Sequence, residues 1–333
     1  MKKILLFILT LSLILSFTAC KDSSDKVTKI RVNEVTHSIF YAPFYVAVEK
    51  GFFEEENIEI ELTNGGGSDA SMTALLSKSA EIALLGPETG IYTQLGGAED
   101  SPVIFAQLTK RDGSFLVGRK SEPDFKWSDL KGKEIIAGRR GGMPAMALEY
   151  VCNRAGLHDG KEVKLNFDVQ FNLTAAAFEG GTGDYVTMFE PTASEYQRSG
   201  KGSIVASVGL GAGEVPYTCF MARESYFNDN PEIIESFTRA VYKAVKYVES
   251  ESIDNVAECL VGQFPSTSLQ SIIDSINSYK KIDAWKKNMS MLKGDFNRLM
   301  DIMSNAGELE KRADFSELVN NTVSEKVYTE VFG

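Results

Sequence analysis

The residues best placed to do chemistry in this chain of 333 residues stand where short apolar runs end. Three glycine-rich stretches, Gly65-Gly66-Gly67-Ser68-Asp69, Gly86-Pro87-Glu88-Thr89 and Gly138-Arg139-Arg140-Gly141-Gly142-Met143-Pro144, each follow a β-like run and open a helical one. Such a turn aims unpaired backbone N–H groups and the positive end of a helix dipole at the space in front of it, which favours a polar or anionic ligand group. Any one of them is explained by a plain turn. Three at matching places imply a shared cleft, because ligands of open α/β sheets bind beyond the carboxyl ends of the strands. The candidate ligand residues on these loops are Gly67, Ser68, Gly86, Pro87, Glu88, Arg140, Gly141, Gly142 and Met143. Arg139 or Arg140 could bring a cation to the third loop; the plainer reading is a solvated pair at a strand end.

Three further residues join the list. Ser38 and Tyr41 lie in Thr36-His37-Ser38-Ile39-Phe40-Tyr41, just after the first β-like run, where polar and aromatic groups meet the same rim. Tyr217, in Glu214-Val215-Pro216-Tyr217-Thr218, either closes over the cleft or packs against a hinge. Glu190 ends the run 185–189 directly before Pro191. Its carboxylate either accepts hydrogen bonds from an amino group on the ligand or is a helix N-terminal acid favoured by the dipole.

Catalytic signatures are missing. The chain has no G-x-S-x-G elbow, HExxH, GxxxxGK loop or GxGxxG turn. His37 and His158 are its two histidines, far apart, and its four cysteines (Cys20, Cys152, Cys219, Cys259) are scattered. No catalytic residue, metal site or cofactor is expected, and the chain reads as a binding protein rather than an enzyme. The formal charge of −11 with no concentrated basic patch argues against nucleic acid as a partner.

The elements that must carry these residues alternate. Short β-like runs at 29–35, 58–62, 82–85 and 103–108 interleave with helical stretches near 43–50 and 69–78, and a second series does the same from residue 115 to 208. That pattern predicts α/β architecture with largely parallel sheets. A strand-like run at 218–222 returns toward the first series, and the chain is almost wholly helical beyond residue 230. The expected organisation is a first lobe over 27–113, a second over 114–216, and a return to the first over 217–333. Two crossovers near 110–116 and 213–220 would form a hinge.

The start of the chain reads as an address. Lys2 and Lys3 precede an apolar run over 4–17, which as a helix spans about 21 Å and falls short of a hydrocarbon core of about 30 Å. This is the pattern of a signal peptide over 1–19. Phe17-Thr18-Ala19-Cys20 resembles a bacterial lipobox, although Phe17 departs from the usual leucine. Cys20 is accordingly expected to be lipidated, with residues 20–26 as a polar tether holding the protein on the outer face of the bacterial cell membrane.

The stretch 38–53, with its PFYVA and KGFF segments, the Gly65–Asp69 loop and the run Ala80-Glu81-Ile82-Ala83-Leu84-Leu85-Gly86 resemble the N-terminal lobe of the NMT1/THI5-like and SsuA/TauA-like substrate-binding proteins of ABC importers. Leu130-Lys131-Gly132-Lys133, the Gly138–Pro144 loop and the segment from Gly183 to Pro191 resemble the second lobe of that family. The resemblance implies a type II periplasmic-binding-protein fold, two α/β lobes joined by two crossover strands around a ligand cleft. It also implies a monomer that delivers its ligand to an ABC permease and the permease's ATPase subunit. By position, Ser38, Tyr41, Gly67, Ser68, Gly86, Pro87, Gly141, Gly142, Met143 and Glu190 match the ligand-facing loops. A bare anion gains nothing from a carboxylate at Glu190, whereas an amine or ring N–H does. A thiamin-precursor pyrimidine is therefore the expected ligand, with an aliphatic sulfonate, taurine or nitrate as the alternative and an extracellular enzyme or sensor lipoprotein on this fold as the less favoured readings.

Overall fold

The computed structural model describes residues 27–170 and 173–333. The signal peptide expected over 1–19, Cys20 and the expected tether to residue 26 lie outside the described residues. Ten strands form among the described residues: β1 Thr28–Glu34, β2 Ile58–Asn64, β3 Ile82–Leu85, β4 Pro102–Thr109, β5 Phe115–Gly118, β6 Glu134–Ile136, β7 Lys164–Asn166, β8 Tyr185–Met188, β9 Ser203–Ser207 and β10 Thr218–Arg223. They assemble into two five-stranded sheets ordered β2-β1-β3-β10-β4 and β7-β6-β8-β5-β9.

The strands' composition explains their places. β3 and β4 are buried along their whole length, as strands covered on both faces must be. β2 lies at an edge and alternates, its Glu59 and Glu61 meeting Lys29 of β1 at 3.6 and 3.2 Å. β1, β2 and β3 run parallel, as do β6, β7 and β8. The expectation of largely parallel sheets needs one amendment in each: β10 is antiparallel to β3 and β4, and β5 to β8 and β9. These two strands arrive from the opposite sheet across a crossover rather than through a helix on their own sheet, so they enter in the reverse direction.

The crossovers run over 110–114 and 213–217 and are tied together by charge. Arg111 meets Glu214 at 3.1 Å, and Lys110 lies 3.8 Å from Glu214 and 2.6 Å from Asp283. Gly113 is required by packing: a Cβ there would stand 2.7–2.8 Å from the ring of Phe40. Phe40 is fully buried, with ring centroids of Phe189 and Tyr217 at 5.7 Å and Tyr279 at 4.9 Å, so one side chain wedges between both sheets and both crossovers.

The long helix Pro231–Ser250 opens on proline and buries Ile234, Phe237, Val241, Val245 and Val248 along one face. Phe237 packs against Phe53 and Phe220 at 5.1 and 5.2 Å, so truncating it to alanine would cost about 3–5 kcal/mol. Among the described residues no helix is long and apolar enough to cross a membrane.

Candidate ligand-binding cleft

A cavity of about 380 Å³ lies between the two sheets. Its walls bring together Ser38, Tyr41, Gly67, Ser68, Gly86 and Glu88 from the first sheet's side, Gly142 and Met143 from the second, and Tyr217 from the second crossover. The three glycine-rich loops meet there. Each opens a helix, Ser68–Leu76, Pro87–Leu95 and Met143–Arg154, with Gly67, Gly86 and Gly142 as the respective N-caps. None of the three is capped by a side chain. Three helix N-termini without a side-chain N-cap therefore converge on one space, with their positive dipole ends behind them.

Glu88 is the carboxyl group of this space. It is 2% exposed, and one carboxyl oxygen, Oε2, has no hydrogen-bond partner among the described residues. Burial pushes it up from the ordinary carboxylate range to about 8, against the downward pull of its own amide, of Arg139 and of Ser68. At neutral pH this carboxyl is therefore mostly protonated, able to donate and to accept. The side chain curls back over Gly86, where a Cβ would fall on the carboxyl group, 2.5 Å from Oε1. Only glycine at 86 leaves it that space.

Glu190 does not line the cavity. Both of its oxygens are taken by Ser194, Oε2 by the amide at 2.9 Å and Oε1 by the hydroxyl at 2.7 Å. It is the N-terminal acid of the helix Thr192–Arg198, the plainer of its two readings. Beyond β8 successive side chains point to opposite sides, and Phe189 takes the cleft side instead. Arg140 also turns away, with Asp159 at 3.6 Å and the ring of Phe167 3.9 Å beneath its guanidinium. Its neighbour Arg139 lines the cavity and reaches across the mouth to Asp69 at 3.1 Å. Glycines in the left-handed region at 138 and 141 bend the loop so that the two arginines diverge. Pro87 begins its helix without lining the cavity, and Gly141 faces Glu308 rather than the cavity.

The remaining expected residues take their positions as follows. Ser38 lines the cavity while its hydroxyl accepts from the Phe40 amide at 3.2 Å. Tyr41 and Tyr217 line the cavity, and burial raises both hydroxyls well above their usual range. Asn64, Gln170 and Thr218, which also line the wall, carry no separate signal in residue type or spacing; the first and last flank a loop and a crossover already singled out. His37 sits behind the rim, its Nδ1 2.7 Å from the buried Glu34 and its Nε2 2.9 Å from the Gln263 carbonyl. Glu34 raises the imidazole above its ordinary value. His158 is exposed and bonds Asn153 at 2.9 Å. Among the described residues no cluster of three or more His, Cys, Asp or Glu is arranged to hold a metal.

Comparison with known proteins agrees with this architecture. The family model described as NMT1/THI5 like matches residues 39–251. Over 318 residues the chain is 43% identical to YtlA of Bacillus subtilis (strain 168), a protein named for binding, across 96% of this chain and 95% of that one. It is 26% identical over 252 residues to the 4-amino-5-hydroxymethyl-2-methylpyrimidine phosphate synthase of Aspergillus parasiticus, across 69% and 68% of the two chains. Among solved structures it is similar to the alkanesulfonate-binding protein SsuA of Xanthomonas axonopodis pv. citri bound to MOPS, with TM-score 0.72 and 15% identity over 89% of this chain and 99% of that one. Two linked α/β sheets around an interior cleft are the periplasmic-binding-protein fold, and the chain belongs to the NMT1/THI5-like family.

Proposed function

We propose that this protein is the extracytoplasmic solute-binding component of an ABC importer, and that its ligand is an aminopyrimidine of the thiamin-precursor type, delivered unchanged to a permease. The unpartnered oxygen of Glu88 inside an aromatic-walled cavity carries this reading. A carboxyl group offers a donor and an acceptor side by side, which matches the ring nitrogen and exocyclic amine of such a base whichever partner holds the proton. Tyr41, Phe189 and Tyr217 supply flat walls, and the volume falls at the low end of small-molecule sites. The pyrimidine named for the Aspergillus relative has this chemistry. A sulfonate is the second reading, favoured by the three uncapped helix ends, with protonated Glu88 donating to one of its oxygens.

In this reading the segments 27–113 with 217–333 and 114–216 move as two bodies about the crossovers, the protein acts as a monomer, and lipid on Cys20 tethers it. Calorimetry with 4-amino-5-hydroxymethyl-2-methylpyrimidine, taurine, methanesulfonate and nitrate tests the ligand. One-to-one binding of the pyrimidine without turnover is expected, weakened about tenfold or more by Glu88→Gln, the loss of a charge-assisted bond. Binding of the sulfonates and not the pyrimidine would hand the site to the second reading. Labelling with a palmitate analogue, lost in Cys20→Ala, checks the anchor.

A further inference from the structure

The hinge holds buried polar groups for which ligand contact gives no reason. Asp112, on the first crossover, is completely buried. Its Oδ1 accepts from the Ser114 amide at 2.6 Å and from the Ser114 hydroxyl, while its Oδ2 has no hydrogen-bond partner among the described residues. Tyr217, on the second crossover, lines the cavity, and its buried hydroxyl, also without a hydrogen-bond partner among the described residues, acts on the Asp112 carboxyl beside it. The turn is clamped on both sides: a Cβ at Gly113 would strike Phe40, and one at Gly209 would fall on the Asp112 carbonyl oxygen. The charged side chains of the crossovers, Lys110, Arg111 and Glu214, pair among themselves and with Asp283. Ser114 and Tyr217 are the groups that act on the Asp112 carboxyl besides burial. Tyr217 in turn faces Tyr41 and Glu88 across the cavity.

We infer that Asp112 is a positioning residue for ligand capture: anchored by Ser114 on one crossover, it orients the Tyr217 ring from the other, and closing the hinge takes up a proton there. The inference rests on the reading of the cleft as a hinged ligand site. Burial holds the carboxyl up at about 6 where the crossovers pack as they do in this structure. Opening that admits water lets it fall back toward the ordinary carboxylate value, so closure binds a proton between the two. Acid therefore favours the closed state, and ligand affinity rises as pH falls from about 6 toward 4.

The test begins without ligand. The chain has two tryptophans, and Trp285 lies at the hinge, its indole N–H donating to the Phe40 carbonyl at 2.8 Å. In a Trp127→Phe background, Trp285 fluorescence should titrate with a midpoint near pH 6. Asp112→Asn, which keeps an acceptor for Ser114, should erase that step. Tyr217→Phe should move the midpoint upward, because the tyrosine hydroxyl holds the carboxyl down. A step that survives Asp112→Asn, or a midpoint unmoved by Tyr217→Phe, overturns the inference; should the Asn variant fail to fold, the Tyr217→Phe midpoint alone decides. In a second arm, wild-type affinity for the aminopyrimidine should be about tenfold or more tighter at pH 4.5 than at pH 7, a difference that Asp112→Asn removes from that window. If the pyrimidine does not bind at all, the ligand reading fails while the fluorescence arm still decides the role of Asp112.

Discussion

Replacing Glu88 by glutamine should make stability less dependent on pH, and the size of the effect follows from where the carboxyl sits. In the unfolded chain the group titrates near its ordinary 4.5; in the folded one burial holds it at about 8. The folded state therefore binds the proton more tightly, and wild-type stability is lost as pH rises from about 4.5 to about 8. At about 1.4 kcal/mol per tenfold change in proton affinity, the full difference is about 5 kcal/mol above pH 8. Opening the cleft to water relieves part of it, since hydration removes the burial that causes the shift, so about 2–3 kcal/mol should be seen. Urea denaturation at intervals from pH 5 to 9 would show the two proteins within about 1 kcal/mol of each other at pH 5, the glutamine variant pulling ahead by pH 8. Scattering at pH 9 should report a more open wild type. A ligand amine should suppress the loss, because a cation beside Glu88 restores the charged form. Parallel stability curves, or a wild type that gains on the variant as pH rises, would refute the argument that burial governs this carboxyl.

The neighbouring residues give further tests. Glu190→Gln should leave ligand affinity within about threefold and lower stability by about 0.5–2 kcal/mol, read by thermal melting, since it weakens the acceptor at the N-terminus of Thr192–Arg198. Gly86→Ala should abolish ligand binding in calorimetry while the protein still folds, because the new Cβ displaces the Glu88 carboxyl. Asp69→Asn should hardly change stability, as expected for a pair between exposed side chains. It should speed ligand release several-fold in stopped flow and remove the salt dependence of that rate. The His37 contribution runs in the same direction as that of Glu88: its imidazole is raised by Glu34, so its stabilisation is complete below about 6.5 and is lost as pH rises through the folded-state value. The stability gap between wild type and His37→Asn should therefore narrow on the alkaline side.

The glycine-rich loops were legible because their function is local. A strand end, a glycine without Cβ and a helix start are neighbours in sequence, so Gly67, Gly86 and Gly142 declare both the turn and the direction in which the amides point. The two sheets were legible for the same reason, through alternating short elements, while the direction of β5 and β10 was not, because it depends on which sheet the preceding crossover left. Of the two carboxylates, Glu190 is drawn away by a serine four residues on, and Glu88 is turned inward by the space beside Gly86 and the burial around it. Both are facts of packing that residue type and spacing near a strand end do not encode.

The same distinction explains why Arg139 and Arg140 exchanged roles. In a loop bent by left-handed glycines on both sides, adjacent side chains diverge, and partners elsewhere in the chain decide which one faces the ligand. Asp69, across the cleft, engages Arg139; Asp159 and Phe167, within its own half, engage Arg140. Sequence locates a ligand cleft where backbone donors converge, but the charge inside that cleft is set by long-range partners. The choice between an amine-bearing and an anionic ligand therefore turns on Glu88 and on whatever keeps it protonated.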